Sequence, residues 1–228
     1  MTTGLRLVKD AAEGLALEAA LFAAPNPGVL LWSPRTNSIV CPASLIRKHG
    51  LQDRGRFAGW PIVARPTGGG AVPQGPGTLN LALGYSVPAG TTIEDGYVRL
   101  TQCLREALAE WGLKPGHTAA SFCDGGWNLS VGGKKVVGTA QRWRPLPDGG
   151  FRVLAHALVL VAGDVRADAR VIAALHRSLD LPPVEPDAHE TLCGLKGQQE
   201  PNMSEIADRL YRASWAQLQQ VGQSRAAA

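Results

Sequence analysis

Residues 65–72 read Arg-Pro-Thr-Gly-Gly-Gly-Ala-Val, and they constrain this 228-residue chain more than any other stretch. Three successive glycines strip the side chains from a run of backbone, which can then take positive φ and bring its amide N–H groups close to a ligand. Arg65 sets a cation and Thr67 a hydroxyl beside those amides, a combination that suits an anionic group such as a phosphate. The run is not a P-loop, because it lacks the Gly-Lys-Ser/Thr ending. Nor does it have the spaced, helix-opening glycines of a dinucleotide site. A glycine run between two strands is also ordinary turn material, so its meaning depends on its neighbours.

Those neighbours read as a globular α+β chain. Hydrophobic residues make up 45% and charged residues 18%, enough to bury one good core and to confine disorder to the ends. Asp10 and Glu13 have the spacing of a capping box, opening a helix to about Ala24 with Leu15, Leu17, Leu21 and Phe22 as its buried stripe. Residues 29–32 and 38–41 read as two strands around a turn, residues 42–58 as helical, and Ile62-Val63-Ala64 as the strand that delivers the glycine loop. Leu79, Leu81 and Leu83 alternate as a half-buried strand should, and residues 94–111 have the spacing of an amphipathic helix. Gly132-Gly133 marks a hairpin turn, followed by strands from Lys135 to Trp143 and from Phe151 to Val161. Leu175-His-Arg and residues 204–221 read as helices, with fraying expected after Gly222. The expected architecture is a mixed or antiparallel sheet with helices packed on it.

Several function classes are excluded early. A net charge of +4 fits an acidic partner surface or a phosphate-bearing ligand, but falls short of a DNA-binding reading without a basic patch. Cys41, Cys103, Cys123 and Cys193 are scattered, with no C-x-x-C and no paired histidines nearby, so no metal site and no disulfide framework is indicated. The absence of a signal-peptide pattern and of a long apolar run points to a cytoplasmic protein with no membrane partner.

Two blocks together resemble one known superfamily. The first is Arg65-Pro-Thr-Gly-Gly-Gly-Ala-Val followed by Gly77-Thr-Leu-Asn80-Leu-Ala-Leu; the second is Gly133-Lys134-Lys135-Val-Val-Gly138-Thr139-Ala140-Gln-Arg, with His156 at the matching distance. They are similar to the signatures of the lipoate–protein ligase, octanoyltransferase and biotin ligase superfamily, and the likeness spans roughly residues 10–165. The resemblance implies a catalytic domain over 1–180, with 181–228 as a short helical extension of the same domain. It gives Lys135 the catalytic place. Arg65, Thr67, Gly68, Gly69, Gly70, Ala71, Asn80, Gly138, Thr139, Ala140 and His156 become candidate substrate-binding residues.

A cation fixed beside an activated carboxyl or thioester stabilises the oxyanion that develops during attack, which is the role expected of Lys135. The resemblance implies three alternatives. A ligase would join lipoate, or a medium-chain acid, to a lysine of a carrier domain through an acyl-adenylate, using ATP and magnesium. A transferase would need no ATP and would hold the acyl group on Cys123 or Cys193. A non-catalytic homologue would only bind the acyl ligand. The carrier would be a lipoyl domain of a 2-oxoacid dehydrogenase or a glycine cleavage H-type protein, and the absence of a helix-turn-helix disfavours a repressor biotin ligase. The ligase is favoured because the third glycine of the loop is typical of ligases. Three departures weaken its nucleotide side: Ala64 stands where a second arginine is usual, Pro73-Gln74-Gly75 replaces Tyr-His-Asp, and Asn128 replaces an acid.

Overall fold

The alternation of leucines at 79, 81 and 83 sets the layering. In the computed structural model, which describes residues 4–197 and 202–226 (side chains to 219), that strand lies inside a seven-stranded sheet, third in its order. The elements run β1 (Leu5–Val8), α1 (Ala11–Ala23), β2 (Gly28–Pro34), β3 (Ser38–Pro42), α2 (Ala43–Lys48), β4 (Arg56–Phe57), β5 (Trp60–Arg65), β6 (Val72–Gln74), β7 (Thr78–Val87), α3 (Ile93–Ala107), β8 (Lys114–Pro115), β9 (Leu129–Val131), β10 (Lys134–Pro145), β11 (Phe151–Leu160), α4 (Val165–Ser178), α5 (Leu192–Leu195) and α6 (Met203–Ala226). The large sheet has the order β1-β2-β7-β11-β10-β9-β8, and a smaller sheet has the order β4-β5-β3-β6. Both are mixed: β1 runs parallel to β2 and β3 parallel to β5, while the other pairs are antiparallel.

Period-2 geometry sends the odd residues of β7 to one face and the even ones to the other. Leu79, Leu81, Leu83, Tyr85 and Val87 pack in one core with Leu100, Cys103 and Leu104 of α3 and Ile206, Ala207 and Leu210 of α6. Ala82 points the other way, into a second core with Trp32, Ile39, Val40, Phe122 and the apolar face of α4. Asn80 also faces this side, between the large sheet and the smaller one.

Four local expectations change. Residues 29–32 and 38–41 form strands, but β2 and β3 belong to different sheets and do not pair as a hairpin. Residues 42–58 hold only the short α2, a 3-10 turn at Leu51–Asp53 and β4, because Gly50 and Gly55 both take positive φ and break the helix. In α1 the fully buried face is Ala11, Gly14, Glu18 and Phe22, with Leu15, Leu17 and Leu21 only half-buried. A Cβ at Gly14 would lie 2.3 Å from the Trp32 ring, so glycine lets the helix settle on that indole. The final helix continues past Gly222 to Ala226, and residues 227–228 lie outside the described residues. The capping of α1 is as expected in part: the Asp10 carboxylate accepts from Glu13 N, while Glu13 reaches back to Lys9 N. Among the described residues no helix is long and apolar enough to cross a membrane.

Candidate functional site

The hairpin turn at Gly132-Gly133 (φ +57° and +75°) pairs β9 with β10 and starts the strand at Lys134. The pairing register then shifts between Lys135 and Val137, a bulge of the kind that re-aims a side chain. Lys134 stays at the surface and pairs with Glu190 at 3.2 Å. Lys135 turns inward and is 1% exposed. Its ammonium donates to the carbonyl oxygens of Phe122 at 2.6 Å and Cys123 at 2.8 Å. Burial pulls its pKa down to about 8, with the nearby Cys123 and Asp124 opposing the shift.

The main chain that Lys135 grips is held from two further directions. Phe122 N donates to Nε2 of the fully buried His189 at 2.9 Å, and the two rings stack with centroids 4.0 Å apart. Burial, reinforced by the Lys135 charge, lowers the His189 pKa to about 4. The ring is therefore neutral near pH 7, with its proton assigned to Nδ1 facing Pro186 O. Asn128 donates from Nδ2 to Cys123 O at 3.0 Å and accepts from Thr139 N at 2.9 Å. An aspartate there could not donate, so the amide suits this position where the family resemblance expected an acid. Under these constraints Cys123 takes φ +49°, a left-handed conformation that costs about 1–3 kcal/mol in a non-glycine residue.

The glycine loop closes over the same cysteine. Gly70 N donates to Cys123 Sγ at 3.1 Å, and Arg65 Nη2 lies 3.7 Å from it. Arg65 is buried, and its guanidinium also binds the carbonyls of Val40, Gly68 and Gly70 at 3.1, 2.9 and 2.7 Å. It braces the loop from inside. Gly69 has φ +100°, and a Cβ built there would fall 2.6 Å from Cys123 Sγ.

These groups border a cavity between the two sheets and α1. Arg65, Asn80, Cys123, Lys135, Gly138, Thr139, Ala140 and His156 all line it, with apolar wall from Leu15, Val40, Val72, Ala157 and Leu158. Asn80 and Gln74 lock their amides together at 2.6 and 3.0 Å. Thr67 is buried behind the loop and meets His156 Nε2 at 3.2 Å, and Ala71 is fully buried in the adjoining core. Cys193 lies elsewhere, in a groove with Asp164, Arg166 and Glu190.

Two participants lie outside the residues that the motifs single out. Glu18, 3% exposed, accepts from Trp32 Nε1 at 3.0 Å and meets His156 Nδ1 at 2.9 Å, completing a chain from α1 to the glycine loop. Its signal was an acid on the helix face shared with Gly14 and Phe22. His189 carried no comparable signal, lying far beyond the recognised motifs.

The chain matches the family model "Lipoyl protein ligase A/B catalytic domain" over residues 10–214. It is 42% identical to an uncharacterised protein of Cupriavidus necator over 60% of this chain and 61% of that protein. It is 31% identical to an octanoyl-[GcvH]:protein N-octanoyltransferase of Geobacillus kaustophilus, over 70% of this chain and 59% of that protein. The chain thus spans about three-fifths of the length of these curated relatives. Among solved structures it superposes on a lipoate-protein ligase A bound with ATP with a TM-score of 0.67 at 19% identity, covering 94% of this chain and 85% of that one. A bipartite lipoate protein ligase solved with its E2 lipoyl domain, from Thermoplasma acidophilum, gives 0.64 at 17% identity, covering 94% and 82%. At such identities the structures establish the shared fold.

Two predictions follow from this geometry. Between pH 8 and 10.5 the folded protein releases the Lys135 proton while the unfolded chain keeps its own, so stability rises with pH across that window. Relative to Lys135→Met, the wild-type unfolding free energy should gain up to about 3 kcal/mol there, read by urea unfolding at several pH values. The Cys41 and Cys103 thiols, pushed by burial to about 11 and 12, titrate in both proteins and cancel. Parallel stability curves would contradict a buried ammonium. Gly69→Ala should cut activity at least about tenfold through positive-φ strain and the clash with Sγ. Gly68→Ala, where a Cβ meets nothing within 4 Å, should fall far less in the same assay.

Proposed function

The chain belongs to the lipoyl protein ligase A/B catalytic domain family, and we propose that within it this protein is an acyltransferase working through a thioester on Cys123. It would move an octanoyl or lipoyl group between lysines of carrier proteins, from a glycine cleavage H-type protein to the lipoyl domain of a 2-oxoacid dehydrogenase. The observation that carries the reading is the setting of Cys123 Sγ. The thiol sits at the head of an apolar cavity, 3.1 Å from the Gly70 amide, on a strained residue whose carbonyl is held by Lys135 and Asn128. The similarity to the Geobacillus octanoyltransferase supports the same class.

The chemistry has two balanced halves. Sγ, as thiolate, attacks the acyl carbonyl carbon of the donor amide; the C–S bond forms, the C–N bond breaks, and the leaving lysine amine takes up the proton that the thiol gave up, directly or through solvent. The neutral amine of the acceptor lysine then attacks the thioester carbon. A C–N bond forms, the C–S bond breaks with its electron pair returning to sulfur, and the proton lost by the amine passes to sulfur or solvent. Gly70 N–H and the Arg65 guanidinium stabilise negative charge gathering on sulfur. Lys135 has three N–H bonds, of which two hold Phe122 O and Cys123 O. The third is left for the acyl oxyanion, where a preorganised donor lowers the barrier by about 3 kcal/mol.

The residues present do not fit a magnesium-bound triphosphate. Arg65 is engaged by three backbone carbonyls, and Asn128 offers an amide where a metal would need a carboxylate. The test mixes the protein with octanoyl-loaded H-type protein and an unmodified lipoyl domain in the absence of ATP. Intact mass of the lipoyl domain should show an added octanoyl group, and ATP with magnesium should not raise the rate. Modification only from the free acid with ATP would contradict the proposal in favour of a ligase.

A further inference from the structure

Cys123 borders two cavities. The first is the apolar one described above; the second, lined by Gly68, Gly69, Tyr97, Asp124, Trp127 and Asn128 among others, shares Cys123, Thr139 and Ala140 with it. Its outer wall is made by Tyr97 of α3 and by Trp127, which precedes β9. Their rings stack 5.6 Å apart and 1° from parallel, and both side chains are half-exposed. Asp124 stands at its edge, its oxygens accepting from Thr118 N, Gly125 N and His117 Nδ1. Burial would raise the Asp124 pKa, but those hydrogen bonds outweigh it and hold the carboxyl below its usual range.

An acyl chain filling the first cavity would leave its carbonyl carbon at Sγ, where the second cavity also reaches Cys123. Resting on the thioester reading above, we propose that the second cavity is the route by which a carrier lysine reaches the acyl carbon, its methylene stem lying along the Trp127–Tyr97 pair. An aromatic face suits both the apolar stem and the cationic tip of lysine, and the Asp124 carboxylate favours the ammonium at the mouth before it sheds its proton. The same channel serves both halves of the reaction, because donor and acceptor each present a lysine there. The transfer is aminolysis: the N–C bond forms, the C–Sγ bond breaks, and the proton lost by the amine passes to sulfur or solvent.

The experiment separates loading from unloading. Wild type and Trp127→Ala are loaded with p-nitrophenyl octanoate, the nitrophenolate release and acyl-enzyme mass being recorded. They are then unloaded either with an unmodified lipoyl domain or with hydroxylamine, which is too small to need the aromatic wall. Loading and hydroxylamine release should stay within about twofold of wild type, while release by the lipoyl domain slows at least about tenfold. Trp127→Phe, which keeps an aromatic face, should recover most of that loss. Tyr97→Leu is read in the same way should Trp127→Ala fail to fold. Unchanged release by the lipoyl domain, or equal slowing with hydroxylamine, would overturn the route and leave the thioester standing. Failure of the wild-type protein to load would overturn the thioester reading and this inference with it.

Discussion

A single buried ammonium organises the site. Lys135 is enclosed, so its charge carries a desolvation cost that lowers its pKa to about 8. The compensation comes from two backbone carbonyls, Phe122 O and Cys123 O, that point at it. That pairing turns the chain at Cys123 into a left-handed conformation which an unbraced cysteine would abandon. The consequence is mechanical: the strained turn lifts Sγ to the glycine loop and sets it between two cavities.

The rest of the fold supplies the walls of that arrangement. β10 bulges at the lysine, β7 sends Asn80 and Ala82 toward the small sheet, and Arg65 at the end of β5 ties the glycine loop to Val40 of β3. Neutral His189 caps Phe122 N without adding a second positive charge beside Lys135, which its low pKa secures. On the far side, Glu18 links α1 to His156 and through it to Thr67. A buried polar chain of this kind is worth most when all its members are satisfied, and it fixes the loop against the sheet.

Much of this was legible in the residues. The glycine loop, the Gly-Gly hairpin and the alternation along β7 are local signals, since turn chemistry and period-2 burial act within a few residues. Lys135 and Cys123 were both visible as candidates, but their relation was not. Lys135 borders the cavity and also grips main chain next to a cysteine, and only tertiary packing brings those segments together. Leucine count points to the wrong face of α1, whose buried side is set by the steric match between Gly14 and Trp32. His189 escaped notice because its partners are backbone atoms of a loop 67 residues earlier in the chain. Asn128, noted at first as a departure from a nucleotide-binding pattern, has a positive role as a donor to Cys123 O.

The central claim is that Cys123, so held, carries the acyl group. The direct measurement is intact mass of the protein after exposure to an octanoyl donor, before and after hydroxylamine. Wild type and Cys193→Ser should each gain one octanoyl group that hydroxylamine removes, and peptide mapping should place it on Cys123. Cys123→Ser should gain no hydroxylamine-labile group. A labile adduct that persists in Cys123→Ser, or a wild-type protein that transfers octanoyl without ever carrying it, would contradict the account.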